Sequence, residues 1–393
     1  MTFIDAIVVV LVVAGAWAGF RQGFITAVVS LLGAVFGALL ALTIAPKLLA
    51  SESEWGRTAI GLIILLTGIL LGELLGDWAG RVLSQQITWK PAKAADRALG
   101  AVGQGLAVLA LAWLVALPLA SVPAPTLTSA VRNSVVLTQI NSLLPNGASA
   151  VSAQLRNLLD STGFPQILDP LAPTPITPVD TPDAELAGGP VAAAAQISVL
   201  KIRSNAPTCG KLLSGSGFVI GPERVLTNAH VVGGATRTVV ETPEGILEAT
   251  VVSYDADRDL AVLYVPGLTA PALKFSTEGV NSADDAIVIG YPGGGPYTAS
   301  PARVRSEFDL RGPNIYGTST VERNVYILRA QVRPGNSGGP LLDPAGDVIG
   351  VVFGSAIDDS ETGFALTVDE VSSTVAAGLT DTSAAPTGAC ALH

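Results

Sequence analysis

The sequence predicts a chain of two unlike parts, an N-terminal bundle of four transmembrane helices followed by an all-β region of sandwich or barrel type. Three observations predict it. Hydrophobic residues make up 49% of the 393-residue chain and charged residues only 14%, against about 25% charged in an ordinary globular protein. Charge is also unevenly spread, with seven Lys/Arg and six Asp/Glu in residues 1–125 but thirteen and twenty-one in 196–393. The membrane part therefore comes first. From Ala195 onward, long apolar runs give way to short β-type runs separated by turn residues, and the total length allows two or three domains.

The apolar stretches 3–20, 24–46, 58–76 and 99–120 meet, or nearly meet, the ~20 residues a helix needs to cross ~30 Å of hydrocarbon. The second is uncharged throughout, and the fourth lies inside an uncharged run, 98–131. Asp5 and Glu73 fall near the ends of the first and third stretches, where interfacial placement is expected. No basic segment precedes the first stretch, so a cleavable signal peptide is not expected. Four crossings put Arg21, Arg81, Lys90, Lys93 and Arg97 in loops on one side, and Lys47 and Arg57 beside Glu52 and Glu54 on the other. The positive-inside rule assigns the first set to the cytoplasm, so the N-terminus and everything after residue 120 are expected outside it.

Residues 121–195 are rich in Pro, Ala, Ser and Thr, and Pro170, Pro173, Pro175, Pro178 and Pro182 mark an extended linker. Apolar spacing within 127–160 predicts one or two short amphipathic helices, resting on the membrane or on the next domain. The expected organisation is a membrane domain at 1–122, a linker at 123–194 and a third domain at 195–393. In that last part β-type runs fall at 197–202, 217–220, 224–226, 238–240, 249–253, 261–265, 286–290, 325–330 and 348–353. Helical periodicity is clear only at 368–379. Close to 200 residues can bury enough core for two small barrels.

Composition also excludes. A net charge of -10 repels phosphate backbones and anionic headgroups, so no nucleic-acid partner is expected. Two cysteines, Cys209 and Cys390, are too few for a thiolate zinc site or a disulfide scaffold and leave either two thiols or one disulfide. Of the two histidines, His393 is an end residue, so His230 is the single interior imidazole. No metal and no organic cofactor is indicated.

The most specific segment is Arg333-Pro334-Gly335-Asn336-Ser337-Gly338-Gly339-Pro340-Leu341-Leu342. Acyl transfer needs a nucleophile on a tight turn beside backbone N–H groups aimed at a developing oxyanion, and glycines around Ser337 permit that turn. A hydroxyl needs a base, which Thr227-Asn228-Ala229-His230-Val231-Val232 supplies after an apolar strand and a turn. An acid must hold the imidazole, and among Asp255, Asp257 and Asp259 only Asp259 abuts the apolar run that follows.

In order and in the motifs TNAHVV, RDLAVL and GNSGGPLL, residues 196–380 closely resemble the chymotrypsin-like serine proteases, and within them the bacterial HtrA-type branch. The resemblance implies a chymotrypsin-like double β-barrel with His230 as general base, Asp259 as its orienting acid and Ser337 as nucleophile. It implies an oxyanion hole from the Gly335 and Ser337 amides, and a substrate cleft lined by Phe353, Gly354 and Ser355, with 363–365 beside it. Asn336 stands where digestive proteases carry an aspartate that pairs with a freed N-terminus, so activation of that kind is not implied. Gln331, six residues before the nucleophile, is not an acid, so neither is a preference for Lys or Arg. No PDZ-type module follows, and peptide sensing through one is not expected.

Residues 1–122 look like the colicin V production family of four-helix membrane proteins, through Phe3-Ile4-Asp5, Gly19-Phe20-Arg21-Gln22-Gly23-Phe24 and Asp96-Arg97-Ala98-Leu99-Gly100-Ala101-Val102-Gly103. Gly15, Ala16 and Gly19 would let helices approach closely. The combination resembles the MarP-type actinobacterial membrane-anchored periplasmic serine proteases. That resemblance extends to Cys209 and Cys390 and implies acid resistance, envelope maintenance, a cell-envelope protein as substrate and self-cleavage before Ala195. A Cys209–Cys390 bridge would fasten the C-terminal tail to the first barrel and make activity redox-sensitive. Its chain-entropy ceiling is about 5 kcal/mol. Two other classes of function stand beside this one. The four helices could be a transporter or channel, supported by Asp5, Glu73 and Asp77, with the barrels as regulator; or the cleft could serve only as a peptide binder. Substrate, residue preference at the cleaved bond and oligomeric state are not legible.

Overall fold

The computed structural model describes residues 2–48, 54–85, 89–120, 124–143, 171 and 173–391. Two compact units divide the chain, one of Met1–Ser161 with Pro170–Pro173, the other of Thr162–Asp169 with Thr174–His393. Much of the expected linker, 144–170, and His393 lie outside the described residues.

The first unit contains four long helices, α1 (Phe3–Gln22), α2 (Phe24–Leu48), α3 (Glu54–Ser84) and α4 (Lys90–Leu119). Each carries a stretch long and apolar enough to cross a membrane. Glycines set the packing: a Cβ on Gly33, Gly37 or Gly72 would run into a carbonyl of the facing helix across α2 and α3. Gly19 meets the Gly100 carbonyl of α4 in the same way, as expected for close helix approach. Two short helices follow, α5 (Pro125–Arg132) and α6 (Val135–Leu143). Rather than belonging to a linker, both dock on the long helices. Trp113 Nε1 donates to Asn141 Oδ1 at 3.1 Å, and Arg132 Nη2 to the Ala120 carbonyl at 3.3 Å. Asp5 is the pin. It lies at a helix end as expected but is only 2% exposed. Its Oδ2 accepts from the Thr2 amide (2.6 Å), while Oδ1 accepts from Ser134 Oγ (2.6 Å) and the Val136 amide (3.1 Å). One carboxylate thus caps the first turns of both α1 and α6, satisfying donors that a helix start leaves unpaired.

The second unit is built on two closed six-stranded antiparallel barrels. The first comprises β1 (Val199–Ala206), β2 (Lys211–Gly221), β3 (Arg224–Thr227), β4 (Arg237–Thr242), β5 (Gly245–Asp255) and β6 (Leu260–Tyr264), in the order β1-β2-β3-β6-β5-β4. The second repeats that order with β7 (Asp285–Gly290), β8 (Thr298–Pro313), β9 (Thr320–Ala330), β10 (Pro340–Leu342), β11 (Val348–Ser355) and β12 (Thr362–Thr367). Alternation sorts the strand residues. Ile202, Val219, Val225, Val240 and Leu263 fill the first barrel, and Val288, Val304, Leu328, Leu341 and Val352 the second. The opposite faces of several strands supply Phe218, Leu226, Val262, Ile287, Ile289, Phe353 and Phe364 to a third cluster shared by both barrels.

Ahead of β1, the segment 174–194 was expected as free linker. Its described residues lie against the second barrel. Asp358 accepts from the Thr174 amide (3.1 Å) and hydroxyl (2.5 Å), Arg305 donates to the Thr177 carbonyl and Arg329 to that of Val179, each at 2.9 Å. A one-turn helix α7 (Pro190–Ala195) follows and receives the Tyr297 hydroxyl on the Ala192 carbonyl. Proline denies this segment a sheet partner of its own, so its carbonyls are met by arginines instead. Helix α8 (Ala229–Val232) joins β3 to β4, and α9 (Val368–Gly378) closes the unit as its periodicity predicts, capped by Thr367.

Candidate active site

Three loops carry the expected catalytic residues. His230 sits on α8, directly after β3, and is 4% exposed. Asp259 immediately precedes β6 and is 1% exposed, with φ of 60°, a left-handed conformation uncommon outside glycine. That backbone turn aims both carboxylate oxygens at one residue: Oδ2 lies 2.7 Å from His230 Nδ1, and Oδ1 accepts the His230 amide at 2.9 Å. The Asp259 carbonyl accepts from Asn228 Nδ2 at 2.7 Å, tying the two loops a second time.

Ser337 lies between β9 and β10, 2% exposed, its Oγ without a hydrogen-bond partner among the described residues. Its carbonyl accepts the Ser216 amide of β2 at 2.8 Å, which brings the turn to the first barrel. Flanking glycines are required there. Gly335 has φ of 96° and Gly338 81°; a Cβ on Gly335 would meet the Tyr291 carbonyl and Gly293 amide, and one on Gly338 would lie 2.9 Å from the Asn228 amide. Among the described residues, neither the Gly335 nor the Ser337 amide donates to a backbone carbonyl. The Pro334 carbonyl is held away by the Gly293 amide at 2.6 Å, and the Gly335 carbonyl by Ser216 Oγ at 2.6 Å. Asn336 folds its side chain onto its own turn, Oδ1 accepting the Arg333 amide at 3.0 Å. No freed N-terminus takes part in that bond.

The expected cleft residues separate. Phe353 is 1% exposed and packs with Phe364 at a 6.4 Å ring separation, so its side chain belongs to the core and does not line an open cleft. Gly354 is buried, and Ser355 is half-buried at the strand end. Ser355 differs because it is the last residue of β11, where the buried run Val348–Gly354 ends. Ser216 was missed by sequence reasoning; its signal was a serine between Gly215 and Gly217 ahead of an apolar strand.

Cys209 and Cys390 form a disulfide across a sequence separation of 181. The tail it carries runs behind the His230 loop. Thr387 accepts the Gly234 amide at 3.0 Å and donates its hydroxyl to the Ala235 carbonyl at 3.2 Å. Tyr254 and Tyr316 join hydroxyls at 2.7 Å beside the tail, and burial pushes the Tyr254 phenol well above its ordinary value. Among the described residues no group of three or more His, Cys, Asp and Glu side chains is placed to hold a metal ion.

A double barrel whose contact carries a buried His–Asp pair and a serine on a glycine-bounded turn defines a chymotrypsin-like serine protease. Comparison with known proteins agrees: residues 215–351 match the trypsin-like peptidase domain family, and residues 4–145 the colicin V production protein family. The latter match includes α5 and α6. Over 391 residues, spanning 99% of this chain and 98% of the relative, the sequence is 42% identical to serine protease Rv3671c of Mycobacterium tuberculosis. The chain belongs to that family of membrane-anchored serine proteases. The crystal structure of the Rv3671c protease in its active form is 52% identical and superposes with a TM-score of 0.55, covering 57% of this chain and all of that one. Putative serine protease HhoA of Synechocystis is 34% identical over 174 residues, 42% of this chain and 43% of its own. The protein is a multi-pass membrane protein and a serine protease.

Proposed function

We propose that the protein is an endopeptidase of the extracytoplasmic face that cleaves peptide bonds through an acyl-enzyme on Ser337. The observation that carries this reading is the buried His230–Asp259 pair, Nδ1 to Oδ2 at 2.7 Å. With Nδ1 committed to Asp259, the proton-accepting nitrogen is Nε2. It takes the Ser337 proton as Oγ attacks the scissile carbonyl, then delivers it to the leaving amine, and Asp259 stabilises the imidazolium between these steps. Water hydrolyses the acyl group by the same route in reverse. The Gly335 and Ser337 amides, unbonded to backbone carbonyls, receive the oxyanion. Bonds in this reaction tighten only when substrate is bound, which accounts for the unpartnered Ser337 Oγ.

Arg21, Arg81, Lys90, Lys93 and Arg97 on one side of the four helices support an extracytoplasmic protease unit, in which the disulfide persists. The substrate is a peptide segment of a cell-envelope protein, and the biological setting is envelope stress, including acid. Self-cleavage falls in the linker before Ala195. We assign the membrane domain to 1–143, the docked helices α5 and α6 included, and the protease to 174–393, the docked segment 174–194 included, with the linker between them. The test expresses full-length wild type and Ser337→Ala in intact cells. Hydrolysis of an unfolded protein outside the cytoplasmic membrane by wild type alone supports the reading; equal hydrolysis by both, or hydrolysis confined to the cytoplasm, refutes it.

A further inference from the structure

The β8–β9 hairpin of the second barrel crosses to the first and ends on the turn that carries the triad acid. Asn314 closes the hairpin tip on itself, its Oδ1 accepting the Tyr316 amide (3.2 Å) and the Thr318 amide (3.0 Å). Its Nδ2 reaches out to Asp257 Oδ1 at 3.0 Å. Arg323, on β9 and only 3% exposed, spans the same gap, donating Nη2 to the Pro313 carbonyl (3.1 Å) and Nε to the Asp257 carbonyl (2.6 Å). Ser319 Oγ adds a contact to Asp257 Oδ1 at 3.3 Å, and the Ile315 amide reaches the Ala256 carbonyl. On its other side the turn is held by Arg258, whose Nε pairs with Glu370 Oε1 of α9 at 2.9 Å.

We infer that Arg323 and Asn314 are positioning residues of the protease, setting the aim of Asp259 at His230 by clamping the 255–259 turn from the opposite barrel. The inference rests on the triad reading above. Asp259 is held at φ of 60°, a conformation that persists only where surrounding structure over-determines it. Forward of it stand His230 and Asn228; behind it, two residues earlier, stands Asp257, the point both hairpin side chains grip. Freed of that grip, the turn relaxes toward ordinary backbone angles and the carboxylate rotates off Nδ1. The choice of residue is informative. A buried guanidinium is a poor way to stabilise a hairpin, because well-packed apolar residues serve as well or better. It is a good way to hold one carbonyl in a fixed direction, since its planar donors are pre-organised. Burial lowers the Arg323 pKa, while Asp259, Asp257, Glu370 and Asp255 around it favour the cation. Those groups, Arg258, Tyr254 and the His230 imidazole are the charged and titratable groups around the clamped turn.

The experiment uses the full-length protein in detergent and a fluorophosphonate probe, which acylates the nucleophile whatever the substrate preference. Two variants are compared with wild type: Arg323→Met, which keeps buried volume and removes the donors, and Asn314→Asp. The second keeps the acceptor that closes the hairpin tip and turns the contact to Asp257 repulsive, while the Thr318 hydroxyl, 3.1 Å from Nδ2, can donate to the new carboxylate. For each, the active fraction is counted at saturation, and kinact and KI are measured on that fraction. Displacements near 1 Å from remote changes cost ~100-fold in rate, so the expected result is a fall in kinact of about tenfold to 100-fold, with KI held. A merely structural role would lower the active fraction and leave kinact of the remainder unmoved, and that result overturns the inference. If Arg323→Met does not fold, Asn314→Asp decides alone by the same split between kinact and KI. Failure of wild type to label at Ser337 overturns the triad reading and the inference together, whereas a labelled wild type with unaltered variants overturns the inference only.

Discussion

Gly335→Ala isolates the proposed oxyanion hole. At φ of 96° an L-residue is strained by roughly 1–2 kcal/mol, and strain is the smaller obstacle. The added Cβ would run into the Tyr291 carbonyl and sit 2.8 Å from the Gly293 amide, both backbone atoms with no rotamer to yield. The 334–335 peptide must therefore turn, breaking the Gly293-to-Pro334 bond and aiming the residue 335 amide away from the reacting carbonyl. Loss of one such donor costs 100-fold to 1,000-fold in kcat, about 2.7–4 kcal/mol of barrier. The donor acts on charge that develops only in the transition state, so kcat and kcat/KM fall together with KM unchanged. Steady-state hydrolysis of an unfolded protein by the purified full-length variant, corrected for active sites, measures this. A kcat within threefold of wild type would refute the assignment of this amide, and a loss confined to KM would place Gly335 in substrate binding instead.

Other substitutions address the supports of the site. Ser216→Ala removes a buried hydroxyl that donates to the Gly335 carbonyl and accepts the Tyr291 amide. Two unsatisfied backbone groups predict about 2–4 kcal/mol of destabilisation in chemical denaturation, with a lower kcat; unchanged stability would show the network idle. Cys390→Ser, or reductant on wild type, releases a tail closed over 181 residues and lowers the melting temperature, with a ceiling of about 5 kcal/mol. An unmoved melting temperature contradicts the clamp. Asp285 is held below the usual carboxylate range, first by hydrogen bonds from Arg303. Its folded-state pKa lies below its unfolded value, so its stabilisation is full above about pH 4 and is lost as pH falls through the folded pKa. Asp285→Asn should therefore be less stable at neutral pH and converge with wild type in acid. Parallel stability curves across that window would refute the linkage.

The residues proposed to bear the chemistry stand out in the sequence because acyl transfer constrains neighbours as well as the reacting atom. Ser337 is announced by the glycines its turn requires, and Asp259 by the apolar strand it precedes. Strands buried on a face were legible too, as at 286–290 and 348–353. The β8 arm of the long hairpin was not. Strand β8 carries Pro301 and Arg303, Arg305, Glu307, Asp309 and Arg311, so much of its length faces solvent or polar partners and shows no apolar run. Strand β10, three residues long, and β12, broken by Gly363, are too short for periodicity to register. Phe353 was legible as apolar but not as inward-facing, because that depends on register. Arg323, Asn314 and the docked 174–183 segment act across distances in sequence of about 60 to 180 residues that no local pattern encodes. Asp5 was placed correctly at a helix end, while its burial under α6 depended on a contact 129 residues away.

The proposed chemistry makes Ser337 a nucleophile activated by His230, whose imidazole Asp259 orients. Fluorophosphonate labelling of the full-length protein, with the modified peptide mapped by mass spectrometry, tests it most directly in wild type, Ser337→Ala and His230→Ala. Covalent modification is expected at Ser337 alone in wild type, none in Ser337→Ala, and labelling slowed by at least roughly 1,000-fold in His230→Ala, as when one triad member is removed. Modification at another residue, or labelling of His230→Ala at the wild-type rate, would contradict it.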